Sequence, residues 1–512
     1  MTARPSTLPI EHQRLAVPLW VVAIAFAGAM SALAGGYWDD AWHTERGRDD
    51  FFIAPHIAIY AGIATSGAAL TLWALLVTRR HGTSAVWRHK PLTLALLSVA
   101  VTLASGPIDN AWHVAFGRDA VIWSPPHMLG ITGTLALAAA ILAELAGRPE
   151  PWARPLTAIA GALVLASAGF ATVEYDTDVP QFDEVFYLPV LGFAASVALV
   201  LVRVASDGRW AATSSAAVYT AFIAAVGGFL AVVDFPPPAL PLLVLPAVAV
   251  DAAARRGWHP ALTATMYTLA LHAAYVPVRN LLGDGVRFDA EDVLVGAALT
   301  WLATLVVFAV AAGARVTPTR PSRGAPAAAA AASILLVLLV APVALAHDPG
   351  QGEDAGSVAL RVAVADGRAT LTAELPPAVC GATQPTAIVA RRAGQTLRAA
   401  LTKRGCRLRG ALALPERGRW FMYAEMRRAG RVVESWLPVS VRDGRGRTVE
   451  ADRYAYFPAE RSNGAVKAIG SVVLYGGMLA LLYATFILTR ASRLGSAPWP
   501  SRPGGSPSGR SP

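Results

Sequence analysis

Long apolar runs separated by short polar loops fill most of the chain. A helix crossing a bilayer needs about 20 apolar residues. Runs of that kind fall near 15–36, 52–78, 92–108, 126–147, 155–173, 187–204, 211–233, 239–254, 261–277, 293–314, 327–346 and 466–488. They predict about twelve transmembrane helices, the eighth interrupted by Pro241 and Pro246. Every second loop is basic. Arg79, Arg80, Arg88 and Lys90 follow the second run, Arg148 and Arg154 the fourth, Arg203 and Arg209 the sixth, Arg255 and Arg256 the eighth, and Arg315, Arg320 and Arg323 the tenth. The intervening loops are acidic or mixed. Positive charge gathers on the cytoplasmic side, so both termini are expected in the cytoplasm of a multi-pass cell (inner) membrane protein.

A different period begins after His347. Segments 358–365, 369–375, 386–391, 397–402, 420–427 and 431–439 alternate apolar and polar residues, and Gly and Pro punctuate them. Six or seven short strands in about 110 residues predict an immunoglobulin-like β-sandwich on the extracytoplasmic side. The two cysteines of the chain, Cys380 and Cys406, both lie there. An outer location predicts a disulfide between them, with two buried thiols as the alternative. The expected organisation is therefore a helical region 1–145, further transmembrane helices 146–326, a transmembrane or signal-like helix 327–346, a β-sandwich 347–461, a last transmembrane helix 462–490 and a disordered cytoplasmic tail 491–512. The run ending Ala344-Leu345-Ala346-His347 has a small-x-small pattern like a signal peptidase site. It is read as a spanning helix; cleavage there is the alternative.

Composition agrees with this picture. Hydrophobic residues make up 54% of the 512, charged residues 15%, and the mean hydropathy is +0.46. A soluble chain carries roughly 25% charge, so an ordinary soluble enzyme, a disordered chain and a fibrous protein are excluded. The net charge of +10 comes from 41 arginines and 3 lysines scattered over loops. Nucleic acid binding needs a clustered patch, and none is expected. The lipid bilayer is the expected partner.

Candidate chemistry sits in a repeat. Residues 39–62 read DDAWHTERGRDDFFIAPHIAIYAG and residues 109–133 read DNAWHVAFGRDAVIWSPPHMLGITG. Both hold Asp-x-Ala-Trp-His, Gly-Arg-Asp and Pro-His, with Gly six residues on, at an offset of 70 that becomes 71. Each copy joins an outgoing helix to an incoming one. Asp39 and His43 are four apart and share a face if the first helix runs through them. His56 follows Pro55, a residue suited to a first helical turn. Antiparallel packing then brings Asp39, His43 and His56 together, and Asp109, His113 and His127 likewise. Two imidazoles and a carboxylate suit copper, zinc or non-haem iron. Arg48, Asp49, Arg118 and Asp119 are either orienting groups behind the ligands or loop salt bridges. Trp42 and Trp112 are read as interfacial aromatics. His272 is read as a core histidine.

The first copy resembles the C subunit of the copper membrane monooxygenases, the particulate methane and ammonia enzymes. That family carries Asp-x3-His-x12-His within D-x-x-W-H-(x)-R-D-(x)-F-(x)-H. Asp39, His43 and His56 match it, with Arg48, Asp49 and Phe51 or Phe52 between. The family's second site is Asn-x3-His-x13-His; His113 and His127 match, and Asp109 replaces the Asn. The resemblance spans about residues 15–145. It implies copper at one or both sites and monooxygenase-type or copper-handling partner subunits. The family subunit has fewer helices and no fused β domain. One of its partners supplies a histidine-rich copper domain, which the β segment here, without histidine after His347, does not replace.

Three functions follow as expectations. The first is a copper-binding subunit of a copper-dependent membrane oxygenase. The second is copper transport or delivery, with Asp234, Asp251 and His272 the sparse ionisable residues of the later helices. The third is a non-catalytic sensor or assembly scaffold using Trp420, Tyr423, Glu425, Glu434 and Trp436 as a surface, with sandwich core for the aromatics and a solvated face for the acids as the favoured alternative.

Overall fold

The computed structural model describes residues 17–47, 51–116, 122–146, 148, 150–180, 182–283, 285–316, 351–393, 395–415, 417–442, 445–458 and 464–494. The apolar runs become helices α1 (Leu19–Glu45), α2 (Ala54–His81), α3 (Lys90–Phe116), α4 (Pro125–Leu145), α5 (Ala153–Gly169), α6 (Tyr187–Ala205), α7 (Ala211–Val232), α8 (Val244–Arg256), α9 (Pro260–Leu282), α10 (Ala290–Val316) and α11 (Gly464–Leu494). Nine helical segments among the described residues are long and apolar enough to cross a membrane. That is the signature of a multi-pass membrane protein in contact with lipid.

The expectation of twelve spans is revised in two places. The eighth run gives only the 13-residue α8, about 20 Å long. Prolines 236, 237, 238 and 241 keep the chain non-helical before it. The non-helical stretch still runs alongside α7, where Thr220 donates to the Pro241 carbonyl at 2.9 Å. The ninth run gives the 23-residue α9, which is long enough to span but is interrupted by His272, Arg279 and Asn280 and falls outside the nine apolar spans. The run 327–346, His347 and the tail 495–512 lie outside the described residues.

The duplication is visible in the packing. Where α1 crosses α2, a Cβ on Gly62 would lie 2.5 Å from the Gly28 carbonyl oxygen and 2.6 Å from the Ala32 nitrogen. Small residues at such crossings let helix backbones touch. Seventy residues on, the same positions are Ser98 and Thr102 on α3, and a Cβ on Gly133 of α4 would strike Thr102. One contact is inverted between copies. Gly35 makes room for Ile59 in the first hairpin, and Gly130 makes room for Ser105 in the second.

Eight antiparallel strands follow: β1 (Gln351–Ala365), β2 (Arg368–Glu374), β3 (Thr383–Arg392), β4 (Gln395–Arg404), β5 (Arg407–Ala413), β6 (Gly418–Arg428), β7 (Arg431–Arg442) and β8 (Arg445–Pro458). They close into a barrel ordered β1-β2-β5-β4-β3-β6-β7-β8. This differs from the expected two-sheet sandwich. The 15-residue β1 pairs with both β2 and β8, and register shifts along it, near Gly356 at φ +93°, bend it far enough to do so. Alternation along a strand is the same in a barrel and a sandwich, so the pattern could not separate them. Val358, Leu360, Leu371, Ile388, Trp420, Met422 and Leu437 fill the interior. Cys380 and Cys406 form the expected disulfide, Cα atoms 5.2 Å apart.

The barrel sits on the bundle. Val389, Phe421, Tyr423, Trp436 and Tyr456 on its outer face pack around Val179, in the segment between α5 and α6. Arg392 pairs with Glu184 and donates to the Gly285 carbonyl at 2.9 Å. Of the residues considered as a partner surface, Trp420 is therefore core, Tyr423 and Trp436 are this docking face, and Glu434 and Glu425 pair with Arg391 and Arg398.

Candidate metal centres

Each hairpin places its ligand candidates at one helix end and the next helix start. Asp39 and His43 lie on the last turns of α1, and His56 on the first turn of α2 beside Pro55 at the N-terminus. Proline fits there because the first N–H groups of a helix have no intrahelical acceptor. Asp39 Oδ1 is 3.1 Å from His56 Nε2, and Asp39 Oδ2 is 3.6 Å from His43 Nε2. In the second hairpin Asp109 Oδ1 is 3.2 Å from His127 Nε2, and Asp109 Oδ2 is 3.1 Å from His113 Nε2. The sequence-predicted triads thus assemble, twice, with donor atoms of each set within 4.8 Å of one another.

The donor sets fit a metal ion. An ion with tetrahedral bonds of about 2.0–2.1 Å separates neighbouring donors by about 3.4 Å; the carboxylate–imidazole spacings of 3.1 to 3.6 Å are close to that, and each whole set lies within 4.8 Å. One carboxylate and two imidazoles leave further positions for water or substrate. Copper, zinc and non-haem iron all accept such a set. The first site is the more sheltered at its histidines, with His43 and His56 each 11% exposed; in the second His113 is 7% and His127 23% exposed. Arg48, Asp49, Arg118 and Asp119 lie outside the described residues.

The surroundings of the two centres differ, although the triads do not. Tyr60 lies one turn beyond His56, ring centroids 5.7 Å apart, and reaches toward α3, where a Cβ on Gly106 would be 3.3 Å from it. The repeat places Ile131 at that position. Asp40 becomes Asn110, and Tyr37 becomes Pro107. Tyr37 shares a hydrogen bond with Tyr219 at 3.2 Å. Nearby, Tyr187 donates to Asp176, Arg279 pairs with Asp178 at 2.6 Å, and the Leu242 N–H donates to Tyr275 at 3.0 Å. This buried polar cluster beside the first centre was missed from sequence. The stretch 174–184 reads there as an acidic outer loop, and only the packing of α6, α7 and α9 turns Asp176 inward.

Trp42 and Trp112 are packed by protein. Trp42 stacks on Phe235 at 5.8 Å, and Trp112, 5% exposed, lies against Phe116. His272 stays in the interior, its Nδ1 3.0 Å from the Thr268 carbonyl, and joins neither triad. Asp251 caps the start of α7, accepting from the Thr213 N–H at 2.9 Å and hydroxyl at 2.7 Å, with Arg203 at 3.4 Å. It is a helix cap.

The ends of the bundle are chemically distinct. At the end opposite both triads, His89 pairs with Glu144 at 2.7 Å, and Glu144 with Arg148 at 2.5 Å. At the triad end, the barrel reaches the first centre's neighbourhood. Arg419 pairs with Glu45, and Arg453 donates to the Glu45 carbonyl. Burial pushes both guanidinium groups down to about 10, so both stay charged at neutral pH.

No family model, curated protein or solved structure matches the chain.

Proposed function

We propose that the chain is an integral membrane copper-binding protein that works in a copper-dependent oxygenase complex of the inner membrane. The observation that carries this reading is the double convergence of one aspartate and two histidines, with donor spacings of 3.1 to 3.6 Å, at one end of an apolar bundle. Ionisable groups at such depth are costly, and their default reading is functional. The spacing of both triads resembles that of the monooxygenase C subunit, which favours copper over zinc or iron. Both termini are cytoplasmic in this reading and the barrel extracytoplasmic. The arginines on loops opposite the triads and the disulfide in the barrel support that orientation.

Asp39, His43 and His56 hold one ion; Asp109, His113 and His127 hold the other. A bound copper ion supplies Lewis acidity and redox chemistry toward oxygen. The chain's part is to fix the carboxylate between two imidazoles, leave coordination positions free, and exclude bulk water with the barrel and α11. Metal analysis of membrane-purified protein tests the assignment. Wild type should hold one to two copper ions, and a His43→Ala, His56→Ala, His113→Ala, His127→Ala variant none. Retention of full metal content by that variant sinks it.

One observation favours the second reading, copper transport or delivery. The non-helical stretch before α8 meets the segment that carries the Asp176–Tyr187 pair, the Ala239 N–H donating to the Asp176 carbonyl at 2.7 Å. Transporters place broken helices at their binding sites. Copper uptake by proteoliposomes supports this reading; oxygen-dependent turnover of substrate supports the first.

A further inference from the structure

The last residue of α1 is Glu45, two positions beyond His43. The final carbonyls of a helix have no donors within it, and cations are favoured at that end. Both needs are met by the barrel, nearly four hundred residues downstream. Arg453 on β8 donates to the Glu45 carbonyl, and Arg419 on β6 pairs with the Glu45 carboxylate. Tyr454 donates to the Gly47 carbonyl at 3.4 Å. Gly47 has φ +85°, and a Cβ there would lie 3.1 Å from Trp436, so a side chain would be strained by the backbone and crowded by the indole. Arg453 is itself fixed: it is 6% exposed, its Nε donates to the Trp436 carbonyl at 2.9 Å, and its guanidinium lies 4.7 Å over the Trp436 ring.

The second centre is supported differently. The end of α3 packs against α11, where Lys467 lies 6.0 Å from the Trp112 ring and a Cβ on Gly470 would be 3.1 Å from that indole. The repeat therefore gives equal ligands but unequal supports.

We infer that Arg419 and Arg453 are positioning residues for the first metal centre and not for the second. By capping α1 they fix its last turn, which carries His43, so barrel docking sets the metal affinity of Asp39, His43 and His56. Linkage makes the effect reciprocal: metal at the first centre strengthens docking of the barrel. This inference rests on the metal-centre reading above.

The test uses the full-length chain in two backgrounds. His113→Ala with His127→Ala leaves the first centre alone, and His43→Ala with His56→Ala leaves the second. Each is titrated with copper(II) ions against a competing chelator, and bound copper is followed by electron paramagnetic resonance. Arg419→Ala with Arg453→Ala should weaken copper at the first centre about tenfold or more, the range known for groups that orient ligands. It should also alter the first centre's spectrum and leave the second centre unchanged. Glu45→Gln, which leaves the barrel sequence intact, should act in the same direction at the first centre only. Copper at the first centre should slow hydrogen exchange in β8 around Tyr454. Unchanged affinity at the first centre in Glu45→Gln and the arginine variant, or an equal loss at both centres, overturns the inference and leaves the metal centres standing. Absence of copper at both centres in the parent backgrounds overturns the metal reading, and the inference with it.

Discussion

Gly28 and Gly62 face each other across the α1–α2 crossing so closely that a Cβ on either would sit 2.5 Å from the other's carbonyl oxygen. That contact sets how near the end of α1 comes to the start of α2, and hence the meeting of His43 with His56. Gly62→Val should splay the hairpin. Overpacking of this kind costs about 1–3 kcal/mol or more, read as a lower thermal midpoint. Copper at the first centre should fall while the second, built on its own crossing at Gly133, keeps its ion. Loss of metal from both centres would contradict the independence of the two hairpins.

The carboxylates should be separable in the same way. Asp39→Asn and Asp109→Asn keep the shape and remove the charge that each pair of imidazoles faces. Each should lower affinity at its own centre by more than the about 10–100-fold typical of outer-shell changes. The double variant should bind no metal in titrations at neutral pH. Equal copper content in Asp109→Asn and wild type would show that the Asp109 carboxylate holds no ion.

Asp251 offers the contrasting case, a buried acid with a structural task. Asp251→Ala removes the cap of α7 and leaves Arg203 facing an apolar side chain. Removing one partner of a buried pair costs about 3 kcal/mol or more. The thermal midpoint should drop, and metal content, measured in the surviving folded protein, should not change.

The disulfide should matter to the barrel alone. Cys380 and Cys406 are 26 residues apart, and closing a loop of that size stabilises by about 3.5 kcal/mol in the chain-entropy account. Cys380→Ser with Cys406→Ser should shift unfolding of the barrel to lower denaturant and leave helix content intact by circular dichroism.

The sequence by itself determined the helical bundle, the strand-rich segment, the disulfide pair and both Asp-His-His triads. These rest on local signals: uninterrupted apolar runs, period-two alternation, and a repeated spacing of four along a helix with Pro before His. The strands β5 and β8 are less legible because glycine and alanine take positions that β-branched or aromatic residues fill in the others, as in Arg407–Ala413. Closure of the barrel was hidden too, since it depends on β1 meeting β8 across the whole domain. Among the described residues the eighth run falls short of a span because prolines before Val244 stop a helix that composition alone allows. What only the tertiary structure decided is the difference between the two centres. Tyr37, beside the first triad, meets Tyr219 from 182 residues away. Arg419 and Arg453 reach Glu45 from another domain. Local spacing can specify which atoms could bind an ion; which groups hold those atoms in place depends on long-range packing that no local pattern encodes.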